Sequence, residues 1–436
     1  MSINIIGGGL AGCEAAYQVA KRGIKVNLYD MKPNKKSPAH HSDKLCELVC
    51  SNSLKAARKE SAAGMLKEEM RMLDSLLMKC ADKSKVPAGG ALAVDREIFS
   101  NLVNDEINNN PNITVINEEV TEIPDGITII ASGPLTSDLL YDKIKTMFGD
   151  SLSFYDAAAP IVKFDTVDMN KAFFASRYDK GDGDDYINCP MNKEEYDNFY
   201  EALVSAERAP VHDFDVMNPK VYEGCMPIEV MAQRGHDTIR FGPMKPVGLK
   251  DPRTGHRPWA VVQLRKENSA GIMYNLVGFQ TNLKFPEQKR VFSMIPGLEN
   301  AEFVRYGVMH RNTFIDSPRI LNSDYSVREN KKLFFAGQIT GVEGYMESAS
   351  SGLMAGINAA MRYIGEQTVT LPEYTMIGSL SRYISDETVS KFQPMGANLG
   401  VLPELEQRPR DKKERAKAYS DRSFAKLTEF INSRGL

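Results

Sequence analysis

The sequence predicts an α/β fold in which a parallel, helix-covered sheet is split by an inserted α+β domain. Three observations carry this. The chain opens with apolar strand 2–6 (SINII), helix 10–21 and strand 25–30 (KVNLYD), a β-α-β order that requires a parallel sheet. From about residue 151 the texture turns polar, aromatic and loop-rich, including the acidic turn 181–185 (GDGDD). Buried-strand character returns at 331–336 (KKLFFA). The first domain therefore reads as discontinuous, 1–150 with 325–404, around an insertion at 151–324. A basic helical element, 405–436, follows it.

The other elements follow in order. Residues 61–79 carry Met65, Leu66, Met70, Leu73, Leu76 and Leu77 at helical spacing, which predicts one amphipathic helix packed on the core. Segments 113–116 and 126–131 read as strands, the second running into Ser132-Gly133-Pro134. Residues 193–206 form a helix opened by Asn192 with Glu195 three positions on, a capping box. Residues 348–363 are rich in small side chains and suit a helix lying tightly on a sheet. The 436 residues hold 54 Lys plus Arg against 57 Asp plus Glu and are 42% hydrophobic, values that exclude a disordered, collagen-like or coiled-coil chain. Apolar runs fall far short of the ~18 residues of a membrane span. The start lacks a basic leader, so a cytoplasmic protein is expected. Six cysteines, 13, 46, 50, 80, 189 and 225, are too few for a disulfide scaffold and read as thiols.

Gly7, Gly9 and Gly12 form a G-x-G-x-x-G turn between strand and helix, with Gly8, Leu10 and Ala11 inside it and Asp30 closing the next strand. Here the first glycine permits a tight turn, the second lets a pyrophosphate approach the backbone, and the third lets helix and strand pack closely. The helix N-terminus would meet the phosphates, and Asp30 would accept from the adenosine ribose hydroxyls. An S-adenosylmethionine site or glycines kept only for packing are the alternatives. Ala131-Ser132-Gly133 and the late segment with Gly337, Gln338 and Gly341 resemble two further signatures of FAD proteins of the glutathione-reductase class. A late helix would then aim its positive end at the flavin. Gly181-Asp182-Gly183 follows no strand, so a second, resident nicotinamide domain is not indicated.

Cys46 and Cys50 lie four apart near His40 and His41. Three readings stand open: a zinc site, the redox disulfide of a flavin-dependent disulfide reductase, or a lone functional or buried thiol. No paired-ligand motif for a metal accompanies them. Cys225 sits in YEGCMPIE, an irregular stretch after a glycine. Ten basic residues stand against three acids over 240–290, and nine against four from 408 onward. In a net acidic chain these clusters fit a local RNA track, although a charge run is commonly just a solvated face. Trp259 and Tyr274 are candidate stacking residues that also suit a core.

Segments 7–14 (GGGLAGCE), 48–53 (LVCSNS), 222–232 (YEGCMPIEVMA), 240–249 (RFGPMKPVGL), 337–356 (GQITGVEGYMESASSGLMAG) and 392–399 (FQPMGANL) resemble the bacterial folate- and FAD-dependent tRNA (uracil-5-)-methyltransferase family, TrmFO, from end to end. The resemblance implies methylation of C5 of the T-loop uridine, position 54, in tRNA. 5,10-Methylenetetrahydrofolate would supply the carbon, FAD would relay it, and NADPH or NADH would supply electrons. It further implies that Cys225 is the main reactive cysteine and Cys50 the second, that tRNA is bound through its T-arm, and that Tyr345 lies in the flavin segment. A paralogous family acting on rRNA lacks the cysteine at the place of Cys225.

Overall fold

Strand β1 (Ser2–Ile6) forms around Ile3 and Ile5, both fully buried. The computed structural model describes residues 2–37, 39–149, 152–179, 184–209, 226–389 and 392–435, and only the backbone of 152–157, 310 and 311. After β1 come helix α1 (Leu10–Lys21), β2 (Lys25–Asp30), β3 (Ile113–Asn117), β4 (Thr128–Ile130) and, beyond the insertion, β5 (Leu333–Phe335). The five strands make one parallel sheet in the order β5-β4-β1-β2-β3. The chain thus leaves the central β1 in both directions, and such a switch point opens a crevice at the carboxyl ends of the strands.

The late helix α2 (Tyr345–Ile364) crosses α1 at two glycines. A Cβ on Gly352 would lie 2.1 Å from the carbonyl oxygen of Ala11, and one on Gly356 would lie 2.7 Å from that of Ala15. Its small residues suit close approach, and their tightest partner is α1 rather than the sheet.

One expectation fails locally. Residues 61–79 are two helices, Ala62–Met72 and Leu76–Lys83, with Asp74 left-handed between them (φ 61°). Ser75 starts the second by accepting from Met78 N. The buried Glu14 of α1 accepts from Leu76 N, Leu77 N and the Ser75 hydroxyl at 3.2, 3.0 and 2.7 Å. A carboxylate on a helix start satisfies donors that an unbroken helix would have used itself.

The inserted part is built on a six-stranded antiparallel sheet in the order Phe173–Phe174, Tyr186–Met191, Ala260–Lys266, Met273–Leu276, Ile161–Lys163, Phe303–Arg305. It has its own core, including Val162, Phe199, Leu264, Phe279 and Phe292. Helix Lys193–Ser205 opens with the capping box, Asn192 N donating to Glu195 Oε2 (2.7 Å) and Glu195 N to Asn192 Oδ1 (2.9 Å). A two-stranded neck, Leu152–Ala157 with Met309–Phe314, joins insertion to sheet. Phe314, Ile315 and Leu321 already belong to the first core, as do Tyr419 and Leu427 of the C-terminal helix Lys412–Arg434. No helix among the described residues is long and apolar enough to cross a membrane.

Candidate active site

The crevice at the sheet's carboxyl edge is lined on the β2 side by Asp30, Lys32 and His40. Its floor is Gly7, Gly8, Gly9, Leu10 and Ala11, and beyond β1 lie Gly133, Gly337, Gln338, Tyr345 and Ser348. Asp30 is held by two backbone donors, Gly8 N to Oδ2 and Lys32 N to Oδ1, both at 2.8 Å. A carboxylate has about four acceptor sites, so two remain for a ligand's hydroxyls.

The glycines divide by task. A Cβ on Gly12 would sit 1.8 Å from the Gly7 carbonyl oxygen, so Gly12 serves helix–strand packing and does not line the crevice. A Cβ on Gly9 or Gly133 would meet nothing within 4 Å, so the space above each is open to a ligand. Gly9 is also the N-cap of α1, which has no side-chain cap, and α2 likewise starts from Gly344 uncapped. These are free backbone donors at positive helix ends. Together with Asp30 they fit the pyrophosphate and ribose of FAD.

Cys50 sits at the Tyr345 end of this crevice. The Tyr345 hydroxyl lies 2.8 Å from Cys50 N, 3.2 Å from Ser51 N and 2.9 Å from Cys50 Sγ. Three arginines hold the rest of the loop. Arg265 donates to Asn52 Oδ1 (3.0 Å) and Ser51 Oγ (2.9 Å), Arg305 to the Val49 carbonyl (2.7 Å) and Arg96 to the Leu48 carbonyl (2.6 Å). Arg96 is further held by Glu267 at 2.6 and 3.3 Å. Cys46 is different: it is fully buried, and burial first, then the neighbouring Cys13, pushes its thiol pKa well up. A thiol so protected is a poor redox or metal partner. His40 Nδ1 is 2.6 Å from the Ser37 hydroxyl.

A family model described as "Glucose inhibited division protein A" matches residues 2–367. A protein of Acetivibrio thermocellus named methylenetetrahydrofolate--tRNA-(uracil-5-)-methyltransferase TrmFO is 60% identical over 432 residues, covering 99% of this chain and 98% of that protein. Proteins of the same name from Bacillus pumilus (60%) and Lysinibacillus sphaericus (57%) match over 99% of this chain. This chain belongs to the TrmFO family. Among solved structures, Aquifex aeolicus GidA in its form II crystal superposes with a TM-score of 0.72 at 17% identity, covering 99% of this chain and 73% of that one. Identity so low speaks for the fold alone.

The TrmFO family makes the chain a tRNA (uracil-5-)-methyltransferase. Of the residues singled out in its sequence, Gly7, Gly8, Gly9, Leu10, Ala11, Asp30, Gly133, Gly337, Gln338 and Tyr345 line one crevice. Gly12 and Gly341 do not. Gly341 is left-handed (φ 82°), and a Cβ there would strike the Phe392 ring at 2.4 Å. Cys225 and Gly181-Asp182-Gly183 lie outside the described residues. Tyr274 is core, 5.5 Å from the ring of Phe164, and Trp259 has the Arg240 guanidinium 4.2 Å from its ring centre.

Nor is the 240–290 basic run one free track. Arg265 is buried in the Cys50 loop, and Arg240, Arg253, Lys284 and Arg290 are paired with Asp237, Asp251, Glu207 and Glu287. Of the loop-holding arginines, Arg96 and Arg305 lie outside the basic runs of the sequence, and Arg265 belongs to one of them without being a surface charge. One signal for Arg265 was there: after the apolar Ala260, Val261 and Val262, Gln263 and Arg265 stand two apart in strand Ala260–Lys266, placing a polar pair on one face.

Proposed function

We propose that this enzyme methylates C5 of the T-loop uridine, position 54, of tRNA. 5,10-Methylenetetrahydrofolate supplies the carbon, and NADPH or NADH supplies the electrons by way of FAD. The observation that carries the reading is a half-buried thiol, Cys50, fixed by Tyr345 at the edge of a dinucleotide crevice. Gly7 to Ala11 and Asp30 would hold the FAD pyrophosphate and ribose, and Gly133, Gly337, Gln338 and Tyr345, which line the same crevice, would face the rest of the cofactor. FAD supplies the two-electron reduction that turns a transferred methylene into a methyl group.

Uracil C5 is a poor nucleophile until something adds to C6. Cys225 takes that role as a thiolate: the S–C6 bond forms and the C5=C6 electron pair moves onto C5 and the C4 carbonyl. The helix just after it, Ile228–Gln233, is firmly anchored. Ile228 N donates to the Gln280 carbonyl (2.7 Å), and the buried Glu229 accepts from Thr281 Oγ1 (2.9 Å) and Asn282 N (2.8 Å). Cys50 serves as the second thiol, a base or adduct partner. The tRNA T-arm is held in part by exposed cations at the start of the C-terminal helix.

The test is single-turnover methylation of a T-arm transcript, read by mass spectrometry of the nucleosides, with an rRNA hairpin as the competing substrate. Wild type and Cys46→Ala should methylate the T-arm uridine, and Cys225→Ala should not, though it keeps FAD and is still reduced by NADPH. Near wild-type rates from Cys225→Ala would sink the nucleophile. Preference for the rRNA hairpin would turn the reading to the rRNA-modifying paralogue, and dependence on Cys46 would turn it to a disulfide reductase.

A further inference from the structure

Strand Phe303–Arg305 lies at the edge of the inserted sheet and carries a bulge. Phe303 stands opposite Val162 and Arg305 opposite the adjoining Ile161, which leaves Val304 as the extra residue, turned to solvent. In an unbroken strand Phe303 and Tyr306, three apart, would point to opposite faces. The bulge resets the alternation and re-aims Tyr306 to the Phe303 side. There the two rings stack, with centroids 5.6 Å apart and planes 13° apart. Phe285, at the start of helix Phe285–Phe292, lies on Tyr306 in turn, at 5.0 Å and 16°. The stack begins against the fully buried Phe292 and ends in solvent, where Phe285 is 51% exposed.

Two features distinguish this stack from the fringe of a core. Its rings are held at a fixed interval: the fully buried Gln288 accepts from Gly307 N (2.8 Å) and donates to the carbonyls of Gly307 (2.8 Å) and Leu283 (2.7 Å). One amide thus ties the helix of Phe285 to the chain of Tyr306. The stack is also fastened to both thiol-bearing stretches. Arg305, next to Tyr306, donates to the Val49 carbonyl of the Cys50 loop (2.7 Å). Ala209 and Ile228, on either side of Cys225 in the chain, donate through their N–H groups to the carbonyls of Asn282 and Gln280, each at 2.7 Å, a few residues before Phe285. None of the three stacked rings lines the dinucleotide crevice. Exposed cations accompany the outer ring. Lys284 precedes Phe285, and Lys289 follows one helical turn on, on the same side. Lys289 makes no ion pair with a described residue, and the exposed pair of Lys284 with Glu207 (2.6 Å) is of the weak kind that a phosphate can displace.

We infer that Phe285 and Tyr306 form a stacking platform for an unpaired base of the tRNA loop, with Lys284 and Lys289 beside its phosphates. The inference rests on the T-loop reading above. Chemistry at uracil C5 requires a base released from the stack of its own loop, and that release costs the stacking it had. A rigid π-face restores stacking to the displaced base or its neighbour without reading its identity.

The test is binding of a fluorescently labelled T-arm hairpin to the FAD-loaded enzyme, with a blunt duplex of the stem alone as the comparison. Phe285→Leu keeps apolar bulk and loses the π-face. It should weaken hairpin binding about fivefold or more, with the salt dependence of affinity, duplex binding and flavin content all as in the wild type. Phe285→Trp should bind the hairpin at least as tightly as the wild type. Trp259 is the chain's one tryptophan, so the added indole also reports directly: its emission should be quenched by the hairpin and not by the duplex. Should Phe285→Leu lose its flavin, that quenching decides alone. Unchanged hairpin affinity in Phe285→Leu, or an equal loss for the duplex, overturns the inference and leaves the methyltransferase reading intact. Quenching of the added indole by 5-methyltetrahydrofolate without RNA assigns the ring to the folate and overturns it too. A wild type that does not bind the hairpin at all sinks the T-loop reading and the platform with it.

Discussion

Two kinds of helix start occur in this protein. Helices Ala62–Met72, Arg96–Asn108, Lys193–Ser205, Met376–Tyr383 and Lys412–Arg434 are closed by the side chains of Ser61, Asp95, Asn192, Thr375 and Asp411. Helices α1, α2 and Asp138–Phe148 have no side-chain cap, and Gly9, Tyr345 and Ser137 at their starts all line the crevice. Helix Phe285–Phe292, also without a side-chain cap, has Pro286 in its first turn, which has no N–H to satisfy. Closed ends serve the fold. The short helices Ile228–Gln233, Thr238–Phe241 and Ser317–Ile320 are also without a side-chain cap and lie away from the crevice; the open starts at the crevice leave donors and positive potential for a ligand.

The largest test of that division is Gly9→Val. The purified wild type should be yellow and the variant colourless, while the melting temperature of the FAD-free protein stays unchanged because nothing lies within 4 Å of the new Cβ. A wild type that fails to bind added FAD would break the comparison at its root. Gly352→Val should behave in the opposite way. Its side chain would collide with the Ala11 carbonyl, cost roughly 1–3 kcal/mol in a denaturant titration, and lose flavin only because α1 is displaced.

A closed end gives a pH signature. Glu69, in helix Ala62–Met72, accepts from Met376 N (2.7 Å), Ile377 N (2.9 Å) and Ser423 Oγ (2.6 Å), tying its own helix, the start of helix Met376–Tyr383 and the C-terminal helix together. Burial pushes its carboxyl from 4.5 up to about 7 against these hydrogen bonds. The folded protein thus holds a proton that the unfolded chain releases earlier. Stability contributed by this group is full below about pH 4.5, falls as pH rises to about 7, and is flat above. Glu69→Gln should remove that slope from the melting temperature between pH 5 and 8. Asn192→Ala, at a capping box far from the crevice, should cost about 1 kcal/mol with flavin content untouched.

The smallest effect concerns cations at a closed end. Lys412 and Lys413 are exposed in the first turn of the C-terminal helix, where the helix dipole disfavours positive charge. Contact with tRNA phosphates, as proposed above, would account for them. Replacing Lys412, Lys413 and Arg415 with Gln should flatten the log–log salt dependence of tRNA affinity by roughly 0.7 to 0.9 per lost contact. An unchanged slope would mark a merely solvated helix.

What the sequence made legible was local. The glycine turn, Asp30 and the first β-α-β unit lie within 30 residues, and the capping box of Asn192 within four, so spacing alone carries their meaning. The loop around Cys50 was hidden because its partners come from four distant strands and helices; Tyr345 is 295 positions away. Arg265 was counted as surface charge since composition does not separate a cation facing solvent from one turned inward. The break at Asp74 was missed because apolar periodicity runs straight through it; the Ser75 cap and the carboxylate of Glu14, brought in by folding, start a new helix there.

The strand before the insertion and the strand after it are immediate neighbours in register, Thr128 beside Leu333 and Ile130 beside Phe335. Departure and return therefore share a single seam, one strand spacing of about 4.8 Å wide. For heredity this amounts to modularity: the roughly 170 residues of the insertion can lengthen, shrink or change their clientele while the cofactor half keeps its hydrogen-bond ladder. Substrate choice and redox equipment can then diverge at separate rates on one polypeptide.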